Sequence, residues 1–291
     1  MVARKRAVLI AGPTASGKSA LALKRARELG GVIVNTDALQ VYEGLRLVTA
    51  RPSDDDLAAA RHELYGFVDP AVRFSTGDWA RAAAKLIAEA EGAPLIFAGG
   101  TGLYFESLIK GFADVPEVPD EAVAEAEREI VGLDRDGRAR LIAERDPLMA
   151  ARLKAPDPQR VTRALAVLKA TGRSLASFQD ETHAPLLEGW DTERLVLNPE
   201  REVLRERIAQ RYEVMMEQGA GEEVEAFLAR GLDPSLPVMK AIGVREIGDW
   251  IAGRSSRDEM IERAVTATRQ YAKRQRTWLR SRMAEWNWIS P

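Results

Sequence analysis

The octapeptide Gly12-Pro13-Thr14-Ala15-Ser16-Gly17-Lys18-Ser19 holds the densest chemistry in this 291-residue chain. It follows the apolar run Ala7–Ile10 and opens into a helical pattern from Ala20, which is the setting in which a glycine-rich P-loop cradles phosphate. Successive backbone N–H groups there surround a diphosphate, Lys18 reaches its outer oxygens, and the Ser19 hydroxyl is placed to ligate Mg²⁺. A phosphorylated small molecule is the expected ligand. The loop alone does not say whether that diphosphate is cleaved, transferred or displaced.

Two further turns bear on that question. Asp37 ends an apolar segment in Asn35-Thr36-Asp37-Ala38-Leu39-Gln40 and is expected to face the P-loop, either as a water-mediated partner of Mg²⁺ or as a base that takes a proton from a nucleophile. A plain helix cap is the third use of an Asp there. The other turn, Ala98-Gly99-Gly100-Thr101-Gly102, stands where an ATPase carries the acid that orients an attacking water, and it has none. Phosphoryl transfer loses support, while Thr101 offers a hydroxyl between glycines that allow close approach.

The elements that must position these groups alternate strand with helix. Ala7–Ile10, Val32–Val34 and Pro94–Ala98 read as buried strands, and Ala20–Leu29 and Thr76–Ala90 as helices between them. That order predicts an α/β fold, a P-loop parallel sheet flanked by helices, with ligands at the carboxyl ends of the strands. After Asp114 the sequence turns to charged helices with almost no strand signal until Arg194–Leu197. Residues 115–189 are expected to form an all-helical insertion, and 1–114 with 190–291 the catalytic core and its C-terminal helices.

Composition limits the alternatives. The chain has no cysteine, so disulfides, thiolate zinc sites and cysteine nucleophiles are excluded. The start Met1-Val2-Ala3-Arg4-Lys5-Arg6 is basic, but the apolar run behind it is too short for a signal peptide or membrane span, so a cytoplasmic protein without membrane attachment is expected. Although the formal net charge is only −2, Arg263 to Arg282 holds seven basic residues and no acid. Arg269, Lys273, Arg276 and Arg280 recur there at helical spacing, with Ala267, Tyr271, Trp278 and Leu279 among them, a pattern suited to nucleic acid or to a surface helix whose aromatics face the core. Within the insertion, Asp157 and Pro158 start a helix that Gly172 stops, and Arg160 and Arg163 share one of its faces beside Gln159. Paired cations suit phosphate contacts, and they suit an ordinary solvated face too.

In order along the chain, GPTASGKS at Gly12–Ser19, NTDALQVYEGL at Asn35–Leu45, TARP at Thr49–Pro52, GGTGLY at Gly99–Tyr104, DPQRVTRAL at Asp157–Leu165, AIGVREI at Ala241–Ile247 and ATRQYAKRQRTWLR at Ala267–Arg280 resemble the bacterial tRNA dimethylallyltransferases, also called tRNA isopentenyltransferases. The resemblance implies transfer of a dimethylallyl group from dimethylallyl diphosphate to N6 of the adenosine next to the anticodon. It implies that Gly12 to Ser19, Mg²⁺ and Lys240 hold the diphosphate and that Asp37 is the base. It further implies that Thr101 supports the leaving group, and that Asp37, Ala38, Leu39, Gln40, Thr101, Gln159, Arg160, Val161, Thr162, Arg163, Arg269, Lys273 and Arg276 touch tRNA. The anticodon stem-loop is the expected partner, with no obligate protein partner and a monomer as the working unit. An adenylate isopentenyltransferase, a P-loop nucleotide kinase and a catalytically silent tRNA-binding protein are the competing readings.

Departures from the family pattern fall at Lys240 and Val244, where relatives commonly carry Arg and Tyr, at Ala124, where an Arg is frequent, and at Asn35-Thr36 ahead of Asp37. The basic stripe yields a direct expectation. Lys273→Ala weakens tRNA binding at every sequence and lowers the slope of log affinity against log salt by about one, read from filter binding across a salt series; an unchanged slope removes Lys273 from the phosphate track.

Overall fold

Runs of Val, Leu, Ile and Ala that are apolar on both faces build strands covered on both sides, and this sheet is arranged in that way. A computed structural model describes residues 5–181 and 183–290; Met1–Arg4 of the basic start lies outside the described residues. The strands are β1 (Arg6–Ala11), β2 (Val32–Asn35), β3 (His62–Glu63), β4 (Leu95–Gly99), β5 (Asp191–Leu197) and β6 (Asn287–Ile289). They pair in parallel in the order β3-β2-β4-β1-β5-β6. Four of them were expected from their apolar runs. The two outer ones, β3 and β6, are two and three residues long and lack such a run, because an edge strand is buried on fewer sides.

Helices α1 (Lys18–Leu29), α2 (Arg46–Thr49), α3 (Asp54–Ala59), α4 (Thr76–Glu89) and α5 (Gly102–Lys110) accompany the first four strands. After β5 come α11 (Arg201–Glu217), α12 (Ala220–Leu228), α13 (Val244–Ile251) and α14 (Arg257–Arg282). Local sequence explains their ends. Gly30 stops α1 in the left-handed region at φ 63°, and Ser75 with Asp78 forms a reciprocal capping box at the start of α4.

Between α5 and β5 lie α6 (Asp120–Ile130), α7 (Arg135–Arg145), α8 (Pro147–Arg152), α9 (Pro158–Thr171) and α10 (Leu175–Asp180). The start and stop of α9 follow its sequence signals: the Asp157 carboxylate accepts from the Arg160 N–H at 3.1 Å, and Gly172 takes φ 70°. Its apolar face, Val161, Ala164 and Leu165, joins Ala126 and Ile142 in a small core of its own.

The chain separates into two compact units, one of residues up to Ile109 and from Leu186 onward, the other Lys110–Pro185. The cuts fall at 109/110 and 185/186 rather than at the expected 114/115 and 189/190. Backbone bonds explain the shift: Leu187 N–H donates to Leu108 O at 3.0 Å, fastening the returning chain to α5 before β5 begins, while His183 N–H reaches Phe112 O at 3.0 Å inside the second unit. Among the described residues no helix is long and apolar enough to cross a membrane.

In the sheet, Ala11 stands opposite Gly99 and Asn35 opposite Ala98. Three chain exits are therefore level: the P-loop after β1, Asp37 after β2 and Gly100–Gly102 after β4. Thr36 N–H donates to Ala98 O and Thr101 N–H to Thr36 O, each at 3.0 Å, so the ladder continues past the strand ends. A Cβ on Gly99 would lie 2.2 Å from the Thr36 carbonyl carbon. Gly99→Ala is expected to cost about 1–3 kcal/mol, the range for overpacking a filled interior, measured by denaturant unfolding; a variant of wild-type stability would show that this approach relaxes freely.

Candidate active site

Ala15 and Gly17 both take positive φ, 61° and 92°, which folds the P-loop back on itself. Gly17 also provides no side-chain cap for α1, so the amides of the helix's first turn keep no partner within the helix and point at whatever anion sits before them. Lys18 Nζ donates to Pro13 O at 2.7 Å. Gly12 serves packing, since a Cβ there would lie 2.8 Å from Ser16 Oγ and 2.9 Å from Leu197 O. The Arg207 guanidinium is 3.7 Å from where a Gly17 Cβ would stand, which adds a cation to the loop's surroundings.

Asp37 is held by a turn that Asn35 organises. Fully buried, the Asn35 amide accepts from Asp37 N–H at 2.8 Å and donates to Asp37 O and Leu64 O, each at 3.0 Å. Its own carbonyl takes the Trp79 indole N–H at 3.0 Å, and Trp79 stacks on Tyr104 with centroids 4.3 Å apart. Thr101 Oγ1 accepts from Ala38 N–H at 2.9 Å, which ties the third exit to the second. The Asp37 carboxylate spends one oxygen on Leu39 N–H at 3.0 Å, and its other oxygen, Oδ2, would lie 3.4 Å from a Cβ on Gly100. Gln275 of α14 closes the group. Its Oε1 accepts from Thr14 N–H at 2.8 Å and its Nε2 donates to Gly100 O at 3.2 Å, so one P-loop amide expected on the diphosphate is committed to a side chain.

Two cavities of similar size, about 590 and 610 Å³, meet at Thr14, Asp37, Thr49 and Arg211. The larger is walled by Thr14 to Ser19 of the P-loop together with Gln40 and Tyr65. The other runs between Leu39, Val48, Ile208, Met215, Ile242 and Tyr271 and is apolar over most of its wall. Arg211 donates to Thr14 Oγ1 at 3.2 Å. Burial draws its guanidinium below the usual range, against the opposing pull of Tyr212 and Asp37. Burial likewise lowers Lys18 to about 8, with the Asp37 carboxylate pulling it back up and Arg211 pushing it further down. Burial raises the Tyr65 and Tyr271 hydroxyls, and the charge on Asp37 adds to both. A site with cations at one end, a carboxylate in the middle and hydrocarbon at the other fits an amphiphilic anion with a nucleophile beside it.

Comparison with known proteins places this geometry. The family model for IPP transferase matches residues 40–282. The chain belongs to the IPP transferase family. It is 48% identical to a tRNA dimethylallyltransferase of Methylocella silvestris, over 99% of this chain and 96% of that one. It is 50% identical to a tRNA dimethylallyltransferase of a Bradyrhizobium species, over 100% and 95%. Among solved structures, it is similar to a full-length tRNA isopentenylpyrophosphate transferase from Bacillus halodurans (30% identity, TM-score 0.68, covering 99% of this chain and 90% of that one). It is also similar to a eukaryotic dimethylallyltransferase acting on tRNA (25% identity, TM-score 0.81, 98% and 74%).

Not every residue expected from the IPP transferase pattern reaches the cavities. Thr14 to Ser19, Asp37, Leu39 and Gln40 line them, although the Gln40 amide nitrogen is spent on Thr49 O and Ala50 O at 2.8 and 2.9 Å. Lys240, expected on the diphosphate, is exposed at the end of the short turn Pro237–Lys240 and lines neither cavity; Arg211 is the additional cation there. Val161, expected on tRNA, is a fully buried core residue of α9 and presents no side chain outward. Gln159, Arg160 and Arg163 are exposed, with Arg160 3.2 Å from Asp157. On α14, Arg269, Lys273 and Arg280 face solvent and Arg276 is half-buried among Arg280, Arg201, Glu200 and Glu202. Leu279 is core and Tyr271 walls the apolar cavity with the Arg274 guanidinium 5.8 Å from its ring centre, while Trp278 covers Gly102 and lines a surface groove with Lys273 and Arg274.

Arg211 and Gln275 are the site residues that motif spacing missed. Arg211 sits in α11, where acids and bases alternate, and Gln275 is a neutral residue within the basic stripe of α14, so only the fold shows that each points at Thr14.

An anion beside Lys18 favours its charged form, so binding above the free group's value must take up a proton. The share of the affinity for inorganic diphosphate that Lys18 supplies is therefore expected to hold steady below about pH 8 and to fall above it. Lys18→Met lowers affinity and removes that share of the fall. Calorimetric titration across pH checks this, and identical pH curves for the two proteins contradict it.

Proposed function

We infer that this IPP transferase moves a dimethylallyl group from dimethylallyl diphosphate to N6 of the adenosine 3′-adjacent to the anticodon in tRNA, giving N6-isopentenyladenosine and free diphosphate. The observation that carries it is the meeting of the two cavities at Asp37: an anion cradle on one side, a hydrocarbon wall on the other. The turn after β4 brings no acid to direct an attack on phosphorus, which disfavours a kinase.

The adenine N6 lone pair forms the new bond to C1 of the allyl group while the C1–O bond breaks and its electron pair leaves with the diphosphate. Lys18, Arg211 and the first-turn amides of α1 stabilise that growing negative charge in a site partly closed to water. An exocyclic amine is a weak nucleophile, so Asp37 takes its proton as the bond forms. Thr101 acts through Asp37's neighbour, fixing Ala38 and with it the carboxylate.

Among the described residues no cluster of three acidic or histidine side chains could cage a metal. The cradle offers the exposed Ser19 hydroxyl with Asp37 in the same cavity. That donor set fits Mg²⁺, which keeps several waters and takes further oxygens from a bound phosphate. Ser19 would hold the ion, which when bound supplies added neutralisation of the leaving diphosphate.

The target base must leave the anticodon stack, at a cost of a few kcal/mol that is least in a loop. Exposed cations on α14, and separately Gln159, Arg160, Thr162 and Arg163 on α9, are the groups this reading assigns to the RNA. It retains a monomer acting in the cytoplasm, without a protein partner.

Mass analysis of nucleosides from tRNA incubated with the protein, dimethylallyl diphosphate and Mg²⁺ tests the assignment. Asp37→Ala is expected to lower the transfer rate by roughly 10²–10⁴-fold, the usual share of a positioned base, with tRNA affinity within twofold of wild type. A variant of undiminished rate would remove Asp37 from the chemistry, and prenylation of AMP in preference to tRNA would favour a free-nucleotide enzyme.

A further inference from the structure

The apolar cavity is built largely on one face of α11. Ile208, Arg211, Tyr212 and Met215 recur at i, i+3, i+4 and i+7 and line it together. The helix runs away from the anion cradle: Ala15 of the P-loop packs against the cluster that holds Leu204, Ile208 and Tyr212, and Arg211 reaches Thr14. Met215 lies two turns past Ile208, about 10 Å along the axis at the rise of an α-helix. Met215 and Val48 of α2 line the same cavity and are 5% and 6% exposed, so both face its interior rather than solvent.

Away from Asp37 and Arg211, hydroxyls along this wall are already paired. The Tyr212 hydroxyl pairs with Thr268 Oγ1 at 3.0 Å, Thr268 donates to Ala264 O at 2.8 Å, and Thr49 donates to Leu45 O. A purine lodged here would surrender hydrogen bonds to water and find few in return, whereas a hydrocarbon surrenders none. The occupant favoured by this chemistry is the tail of the donor.

We propose that Met215, with Val48, closes the prenyl pocket and fixes donor chain length, admitting dimethylallyl diphosphate and turning away its geranyl homologue. This rests on the prenyl-transfer reading of the site. The bonds exchanged are the same for either donor: N6–C1 forms, C1–O breaks with its electrons going to diphosphate, and the amine proton goes to Asp37.

The test measures kcat/KM for both diphosphates with one tRNA, product mass identifying the group transferred. Wild type uses dimethylallyl diphosphate and discriminates against geranyl diphosphate. Met215→Ala raises the geranyl-to-dimethylallyl ratio by roughly tenfold or more, the scale on which an apolar pocket distinguishes substrates differing in length, and leaves the KM for tRNA unchanged. Met215→Phe raises the KM for dimethylallyl diphosphate, again with tRNA unmoved. Val48→Ala shifts the ratio in the same direction as Met215→Ala and decides the matter if that variant does not fold. A ratio unchanged in Met215→Ala and Val48→Ala overturns the proposal while leaving dimethylallyl transfer intact. A KM change confined to tRNA overturns it by assigning the pocket to the target base. Wild-type protein that prenylates no adenosine overturns the reading beneath it.

Discussion

Three chain reversals leave one end of a parallel sheet at the same level, and the site depends on how closely they are bound to one another. The main-chain ladder extends beyond β2 and β4 through Thr36 and Thr101. Asn35 then sets the Asp37 turn, Thr101 fastens the β4 exit to it, and Gln275 spans from Thr14 to Gly100. The approach is close enough to exclude side chains: a Cβ on Gly100 would meet Gln275 Nε2 at 2.2 Å, and one on Gly102 would meet Trp278 at 1.9 Å. Catalysis by oriented charge needs donors and acceptors that are in place before the reaction begins. Here the backbone supplies that order, with a single glutamine joining two of the turns.

The electrostatic design follows from this frame. Lys18 and Arg211 share a cavity with one carboxylate, and burial strains both cations. Asp37 alone does not balance them, and a diphosphate does, which relieves the cost of burying the cations as it binds. As the allylic bond stretches, the anion gains charge beside the two cations and the carbon becomes electrophilic beside the carboxylate. In the proposed reaction this one protein frame stabilises the leaving group and accepts the proton of the entering amine. On that reading the apolar wall at the far side keeps water from competing for the same carbon.

Much of this could be read in the chain because local rules and tertiary structure agree. The P-loop, the capped start of α9 at Asp157 and Pro158 and the buried strands carry their signals within a few residues, and the exit of β2 brings Asp37 to the cleft as expected. What escaped depends on distance or on reduced burial. Gln275 meets Thr14 across 261 positions of sequence, and Arg211 across 197. β3 and β6 are short edge strands that register only through their neighbours. Of the residues interleaved with the cations of α14, helix phase turns Leu279 to the core and Tyr271 to the cavity wall, while Trp278 stays beside Lys273 and Arg274. Lys240 follows the family pattern in charge, but its side chain stays exposed and Arg211 takes the place beside the P-loop.

The central claim is that carbon, and not phosphorus, is attacked in this cleft. It is tested most directly with dimethylallyl diphosphate carrying heavy oxygen at the bridge between C1 and phosphorus, turned over in the presence of tRNA. Cleavage at carbon delivers all of the label to the released diphosphate while the adenosine gains an unlabelled prenyl group. Label retained on the organic fragment, or phosphate appearing on the RNA, would contradict the account.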